Sequence, residues 1–413
     1  MSTATATATA AGAGTSQPSA ESIIRTAKDR LVPVYGRAEV AFVRGEGAVL
    51  WDANGRRVLD FFSSILCTNL GHAHPAVTEA VARQAATLVH VSNLHYSAPQ
   101  ARLAELLTSL SFGERVFLCN SGAEANEAAL KAARRYGHAH GGRFEVLTTL
   151  GSFHGRTFAT IAATGQEKVR RGFEPSLPGF RYVPFGDAAA MEAAIGPKTV
   201  AILVEPVQGE GGVNVPPAGY LAELRSICDR HDLLLMFDEV QTGCGRTGTL
   251  WAYEQMGVVP DVMTLAKSLG NGVPVGAMVC NARAASGLDL GAHGSTFGGN
   301  CLTNAAAVAT LEVLSDGKTL PRAREAAARL RAGLEALREK HPEQIEQVRG
   351  LGLLLGVVLK DPERAKAVNA AALEHGLLIN LTAERVLRIA PPLVVTDAQI
   401  DEGLTILGRV FAS

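Results

Sequence analysis

Two side chains in the middle of the chain are of types that do chemistry together. Asp238 follows the apolar run of residues 233–237, and Lys267 follows a second apolar segment, residues 262–266. A run of five apolar residues reads as a strand buried on both faces. Open α/β sheets bind ligands outside the carboxyl ends of such strands. A lysine delivered there is partly desolvated, which favours its neutral, nucleophilic form. Alone, Lys267 reads as a surface lysine and Asp238 as a loop cap. Their joint occurrence weakens both readings.

Other stretches add parts. In Asn120-Ser121-Gly122-Ala123-Glu124, Ser121 can cap a helix, with Glu124 three residues on. Gly122 lets an anion approach the free backbone N–H groups, where the helix dipole favours negative charge. Capping alone would leave nothing more than a well-started helix. In Phe153-His154-Gly155-Arg156, Phe153 can cover a planar ligand and Arg156 can grip a carboxylate with its fork of donors. His154 by itself reads as a polar loop residue. Glu205 and Glu210 stand in a glycine-rich loop after another apolar strand. The alternative is a flexible loop with solvated acids; its place beside the other loops favours a site.

Gly243-Cys244-Gly245-Arg246-Thr247-Gly248 matches the dinucleotide fingerprint G-x-G-x-x-G. Five residues separate it from its strand, no clear helix follows, and no acid sits at the end of a second strand, so a nicotinamide site is disfavoured. The paired histidines 72/74 and 138/140 lack a third ligand, so no metal is expected. A lysine, a carboxylate, an anion cup and an aromatic cover are together what pyridoxal phosphate uses. Its aldehyde takes the lysine, its ring nitrogen the carboxylate, and its phosphate the helix start.

The elements that must position these groups alternate. Helices are expected over 76–88, 99–109 and 123–136, and strands over 115–119, 144–149, 199–204, 233–237, 262–265 and 275–280, which implies a mainly parallel sheet. Before it come a short helix over 20–30 that Ser19 can cap, and an antiparallel hairpin turning at Asn54-Gly55. After it come helices over 302–315 and 322–341, strands over 350–358, 377–380 and 386–389, and a last helix over 397–411. The expected division is a disordered tail (1–20), an N-terminal part of a small domain (21–70), a large domain (71–304) and the rest of an α+β small domain (305–413).

The 413 residues have a formal net charge of -1, which gives no reason to expect a nucleic-acid or membrane partner. No apolar run approaches the length of about 20 residues that spans a bilayer. Six scattered cysteines in a chain of this size read as reduced thiols in the cytosol.

Taken in order, the blocks 120–128, 153–157, 205–212, 238–248, 265–267 and 294–300 resemble the class III pyridoxal-phosphate aminotransferases of the ornithine and acetylornithine type. The resemblance runs from about residue 35 to the C-terminus. It implies the type I pyridoxal-phosphate fold, with a large sheet domain and a small domain built from both chain ends, and a homodimer with shared sites. It also implies roles. Lys267 would form the Schiff base and shuttle the proton. Asp238 would pair with the ring nitrogen, with Val240 behind the ring, Phe153 in front and Gln241 at the ring hydroxyl. Ser121, Gly122 and Ala123 would hold the phosphate, helped by Thr296 from the partner subunit. Arg156 would take the distal carboxylate and Arg388 the α-carboxylate of glutamate or 2-oxoglutarate, with Glu210 pairing Arg388 in the other half-reaction. Ile65 stands where the ornithine enzymes carry Tyr and the acetylornithine enzymes Ile, and an apolar residue suits an acylated nitrogen better than a free ammonium. N2-acetylornithine is therefore the expected donor, in arginine biosynthesis. Segment 63–69 and Cys301 depart from the family pattern, so ornithine, succinylornithine or another ω-amine stays open, as does an aminomutase or racemase on the same scaffold.

Overall fold

A computed structural model describes residues 18–413. The expected tail lies outside the described residues except for its last three: Ser19 caps the helix Ala20–Arg30 by accepting from the Ser22 N–H.

The centre is a seven-stranded sheet. Its order is Arg115–Cys119, Gly276–Cys280, Val262–Leu265, Leu234–Asp238, Thr199–Val204, Glu145–Thr149, Phe180–Val183. All neighbours pair in parallel except Gly276–Cys280, which is antiparallel to both strands it touches. Thr199–Val204 and Leu234–Asp238 are buried at every position, as expected of strands covered on both faces. The helix Gly122–Ala139 lies on this sheet through buried Ala125, Ala128, Ala129, Ala132 and Ala133. Such small side chains let a helix approach a sheet closely.

Two four-stranded sheets flank it. The hairpin strands Phe42–Glu46, Val49–Asp52 and Arg57–Asp60 are joined by Leu377–Leu378, which pairs in parallel with Arg57–Asp60. Both chain ends thus share one sheet. The other sheet is antiparallel, in the order Ile345–Leu351, Leu354–Leu359, Val386–Ile389, Asn380–Thr382.

Three expectations need correction. The single strand expected over 350–358 is a hairpin that turns at Gly352, whose φ is +54°. The strand expected over 377–380 is divided between two sheets. The edge strand Phe180–Val183 and the helices Tyr220–Arg230 and Pro362–Glu374 are elements beyond those expected. In each case non-local pairing or packing decides, which local periodicity does not encode.

Candidate active site

A cavity of about 430 Å³ opens at the carboxyl ends of the parallel strands. Its lining brings together nine of the expected residues: Ser121, Gly122, Ala123, Phe153, Arg156, Asp238, Val240, Gln241 and Lys267.

Asp238 ends the central strand and is 3% exposed. Its Oδ1 accepts from the Val240 N–H at 3.0 Å. Its Oδ2 accepts from Asn126 Nδ2 and lies by His154 Nδ1, both at 2.8 Å. A carboxylate only accepts, so the network assigns the proton to Nδ1. Asn126 is itself fixed, accepting from Thr264 Oγ1 at 2.7 Å and donating to the His154 carbonyl. Thr148 Oγ1 stands 3.2 Å from His154 Nε2. The buried polar groups are satisfied and the carboxylate is held rigidly. His154, although on a loop, is therefore part of the site floor and more than a polar loop residue. Its sequence neighbours Phe153 and Arg156 were the signal for it. Asn126, one helical turn beyond the helix cap, carried no signal of its own.

The anion cup has the expected cap with one change. Ser121 Oγ accepts from the Glu124 N–H at 3.2 Å, but the Glu124 carboxylate reaches back to the Asn120 N–H at 2.9 Å. The N–H groups of Gly122 and Ala123 open an 18-residue helix and have no intrahelical acceptor. A Cβ on Gly122 would lie 2.8 Å from Val240 Cγ1, so glycine is what lets the helix start meet the Val240 wall. Phe153 stands elsewhere in the lining, with the Arg156 guanidinium 5.5 Å from its ring centre.

Lys267 follows the strand Val262–Leu265 and opens a short 3₁₀ turn. Its φ is +46°, a left-handed conformation uncommon for a side chain other than glycine. Burial pushes its amine below the usual lysine range; Glu210 counteracts this and Arg388 adds to it.

Beside the cavity, Arg388 is wholly buried and its Nη1 lies 2.7 Å from Glu210 Oε1. Gln241 bridges the two, donating to Glu210 at 3.0 Å and accepting from Arg388 at 3.1 Å. Asn380 takes a further bond from Arg388. Burial opposes the charge on Glu210, yet Arg388, Lys267 and the bonds from Arg388 and Gln241 hold its carboxyl below the usual range. A Cβ at Gly209 would fall 1.9 Å from Gln241 Oε1, so this bridge needs glycine there.

Ile65 and Thr296 are not in the lining. Ile65 is 41% exposed, on the turn Ser63–Leu66, and Cys67 lines the cavity from that segment instead. Thr296 is exposed beside exposed Phe297. Glu205, in the lining, accepts from the Phe153 and Gly209 N–H groups, and burial pushes its carboxyl up to about 7. The glycine-rich turn 243–248 is a structural joint. Its buried Arg246 donates to the carbonyls of Leu353 and Pro391 and to Asn69 Oδ1. Glu239, next to Asp238, accepts from the Ala252 and Tyr253 N–H groups and so starts a helix. Among the described residues, no group of His, Cys, Asp and Glu is arranged to hold a metal.

A strand-end carboxylate, a desolvated lysine, free helix-start N–H groups and apolar walls in one cavity fit a planar cationic ring bearing an aldehyde and a phosphate. Residues 33–411 match the family model "Aminotransferase class-III", and the chain belongs to that family. It is similar to the acetylornithine aminotransferase of Agrobacterium fabrum, with 47% identity over 93% of this chain and 96% of that one. Its fold is similar to the N-acetylornithine aminotransferase of Stenotrophomonas maltophilia (TM-score 0.81, 38% identity, 94% and 98% of the two chains covered). It is also similar to an ornithine aminotransferase structure from Toxoplasma gondii with PLP at partial occupancy in its active site (TM-score 0.91, 35% identity, 95% and 94% covered). Among the described residues no helix is long and apolar enough to cross a membrane.

Proposed function

We propose that this enzyme transfers the ω-amino group of N2-acetylornithine to 2-oxoglutarate, giving N-acetylglutamate semialdehyde and glutamate. The names of the relatives at 47% identity support the donor. The buried Arg388–Glu210 pair beside Lys267 carries the reading, because it suits a site that takes two unlike substrates in turn.

The cofactor is pyridoxal phosphate. When bound, it supplies an aldehyde to capture the donor amine and a cationic ring that draws in electrons from the substrate carbon. Ser121, Gly122 and Ala123, at the helix start, bind the phosphate through its free N–H groups. Phe153 and Val240 cover the two faces of the ring, and Gln241 reaches the ring hydroxyl. Asp238, held by Asn126 and His154, keeps the proton on the ring nitrogen. Lys267 Nζ would hold and return the proton that leaves the substrate carbon. Its lowered basicity favours the neutral amine that this transfer requires.

Arg388 binds the α-carboxylate of glutamate or 2-oxoglutarate, and Glu210 neutralises it when the acylated donor is present. Arg156 takes the distal carboxylate, and Ile65 gives the acyl group an apolar neighbour. The enzyme works as a homodimer in which the partner's Thr296 completes the phosphate site. The exposure of Phe297, Leu94 and Tyr96 supports such a contact. A cytoplasmic location agrees with six free thiols.

A donor panel with 2-oxoglutarate tests the reading. Acetylornithine should exceed ornithine and succinylornithine in kcat/KM, and Lys267→Ala should abolish turnover. Failure of glutamate to convert the cofactor to its amine form would rule out transamination and favour an aminomutase or racemase.

A further inference from the structure

The backbone at Lys267 is held from outside its own strand. Ser268, the next residue, is 3% exposed, and its hydroxyl donates to the Leu66 carbonyl at 2.5 Å. Leu66 ends a turn in which four successive residues other than glycine are left-handed: Ser63, Ser64, Ile65 and Leu66, with φ of 49°, 51°, 59° and 64°. L-residues adopt this conformation singly, not in runs, so the surroundings must hold it.

They do so at both ends. Asp60 Oδ1 accepts from the N–H groups of Phe62 and Ser63, and Ser63 Oγ donates to the Ala390 carbonyl at 2.6 Å. Ala390 directly follows the strand Val386–Ile389 that carries Arg388. On the other side, Asn271 closes the turn begun at Lys267. Its side chain accepts from the Leu70 N–H at 2.9 Å and donates to the Gly71 carbonyl at 3.0 Å. Segment 60–71 therefore ties the lysine turn to the arginine strand through side-chain bonds at each end.

We propose that Ser268 and the left-handed turn Ser63–Leu66 form a positioning device that holds Lys267 in its left-handed conformation and sets its amine relative to Arg388. The inference rests on Lys267 being the lysine that meets the cofactor. Ser268 touches neither substrate nor cofactor in this scheme; it acts through the Lys267 backbone. A one-residue change in the lysine's direction matters because proton transfer needs near-contact geometry.

The test uses the intact holoenzyme with Ser268→Ala, Ser268→Thr and Ser64→Pro. Ser64 is exposed, so proline there breaks the left-handed turn without opening the core. Ser268→Ala and Ser64→Pro should each lower kcat about 10-fold, the scale of one lost hydrogen bond, and Ser268→Ala should change KM for both substrates less than about twofold. Both should also shift the pH midpoint of the bound cofactor's visible absorbance change, a readout that loose packing alone does not move. Ser268→Thr, which keeps the hydroxyl, should restore the midpoint. If both disrupting variants keep the wild-type midpoint and kcat, the device does not exist, whatever happens to Tm. If Lys267→Ala leaves the cofactor's absorbance and turnover unchanged, the underlying role of Lys267 fails instead.

Discussion

His154 Nδ1 lies 2.8 Å from Asp238 Oδ2, so the loop after the strand Glu145–Thr149 supports the carboxylate that ends a strand two places away in the sheet. Asn126, from the helix Gly122–Ala139, supplies the second donor to the same oxygen. A helix and a loop from elsewhere in the fold thus converge on one carboxylate. His154→Ala should lower kcat about 10- to 100-fold, the loss expected for one charge-assisted hydrogen bond, with smaller effects on KM. Asp238→Asn should cost more. Steady-state kinetics on the two variants check the order.

The Arg388–Glu210 pair makes a prediction about substrate balance. Glu210→Gln removes the partner charge and leaves Arg388 free for carboxylates. The ratio of kcat/KM for glutamate to that for the ω-amine donor should rise at least about 10-fold, equivalent to about 1.4 kcal/mol. Separate half-reactions followed in the visible range measure each side of the ratio. An unchanged ratio would show that the pair is structural only.

Glu205 links pH to stability. Its folded carboxyl titrates at about 7 because burial disfavours its charge, against an ordinary value of 4.5. The folded state therefore holds a proton that the unfolded chain has released over that interval. The contribution from Glu205 is fully present below about 4.5, falls as pH rises to about 7, and is lost above it, at about 1.4 kcal/mol for each pH unit between the two values. Thermal unfolding of Glu205→Gln, followed from about pH 4.5 to about pH 7.5, should show a less negative dependence on pH than the unmutated enzyme.

Arg246 staples the turn 243–248 to Asn69 and to the carbonyls of Leu353 and Pro391. Arg246→Leu would leave buried acceptors without a donor, at about 1–3 kcal/mol for each that finds no water. Denaturant unfolding should show a loss of about 3 kcal/mol or more, with the cofactor site affected only through stability.

Much of this was legible in the residues themselves. Asp238 and Lys267 could be paired as reactive groups because each follows a largely apolar stretch, and such stretches bury as strands. The Ser121 cap was legible because a cap is local: the donor and acceptor lie three residues apart. What the residues could not express was which distant groups would meet. His154 looked like a loop histidine because its partner is 84 positions away. Asp238 is followed by a second acid, Glu239. The alternation of the strand turns one acid into the cavity and sends its neighbour to a helix start. The dinucleotide-like glycine motif became a joint between segments because its arginine found three acceptors in other parts of the chain. The left-handed turn Ser63–Leu66 has no glycine to announce it and exists only because Asp60, Ala390 and Ser268 hold it. Local hydrogen bonding and hydrophobic periodicity act over a few residues, so the sequence alone determined most of the central elements and the reactive pair. The register between distant segments is settled only when the whole chain packs, and that decided how the pair is held.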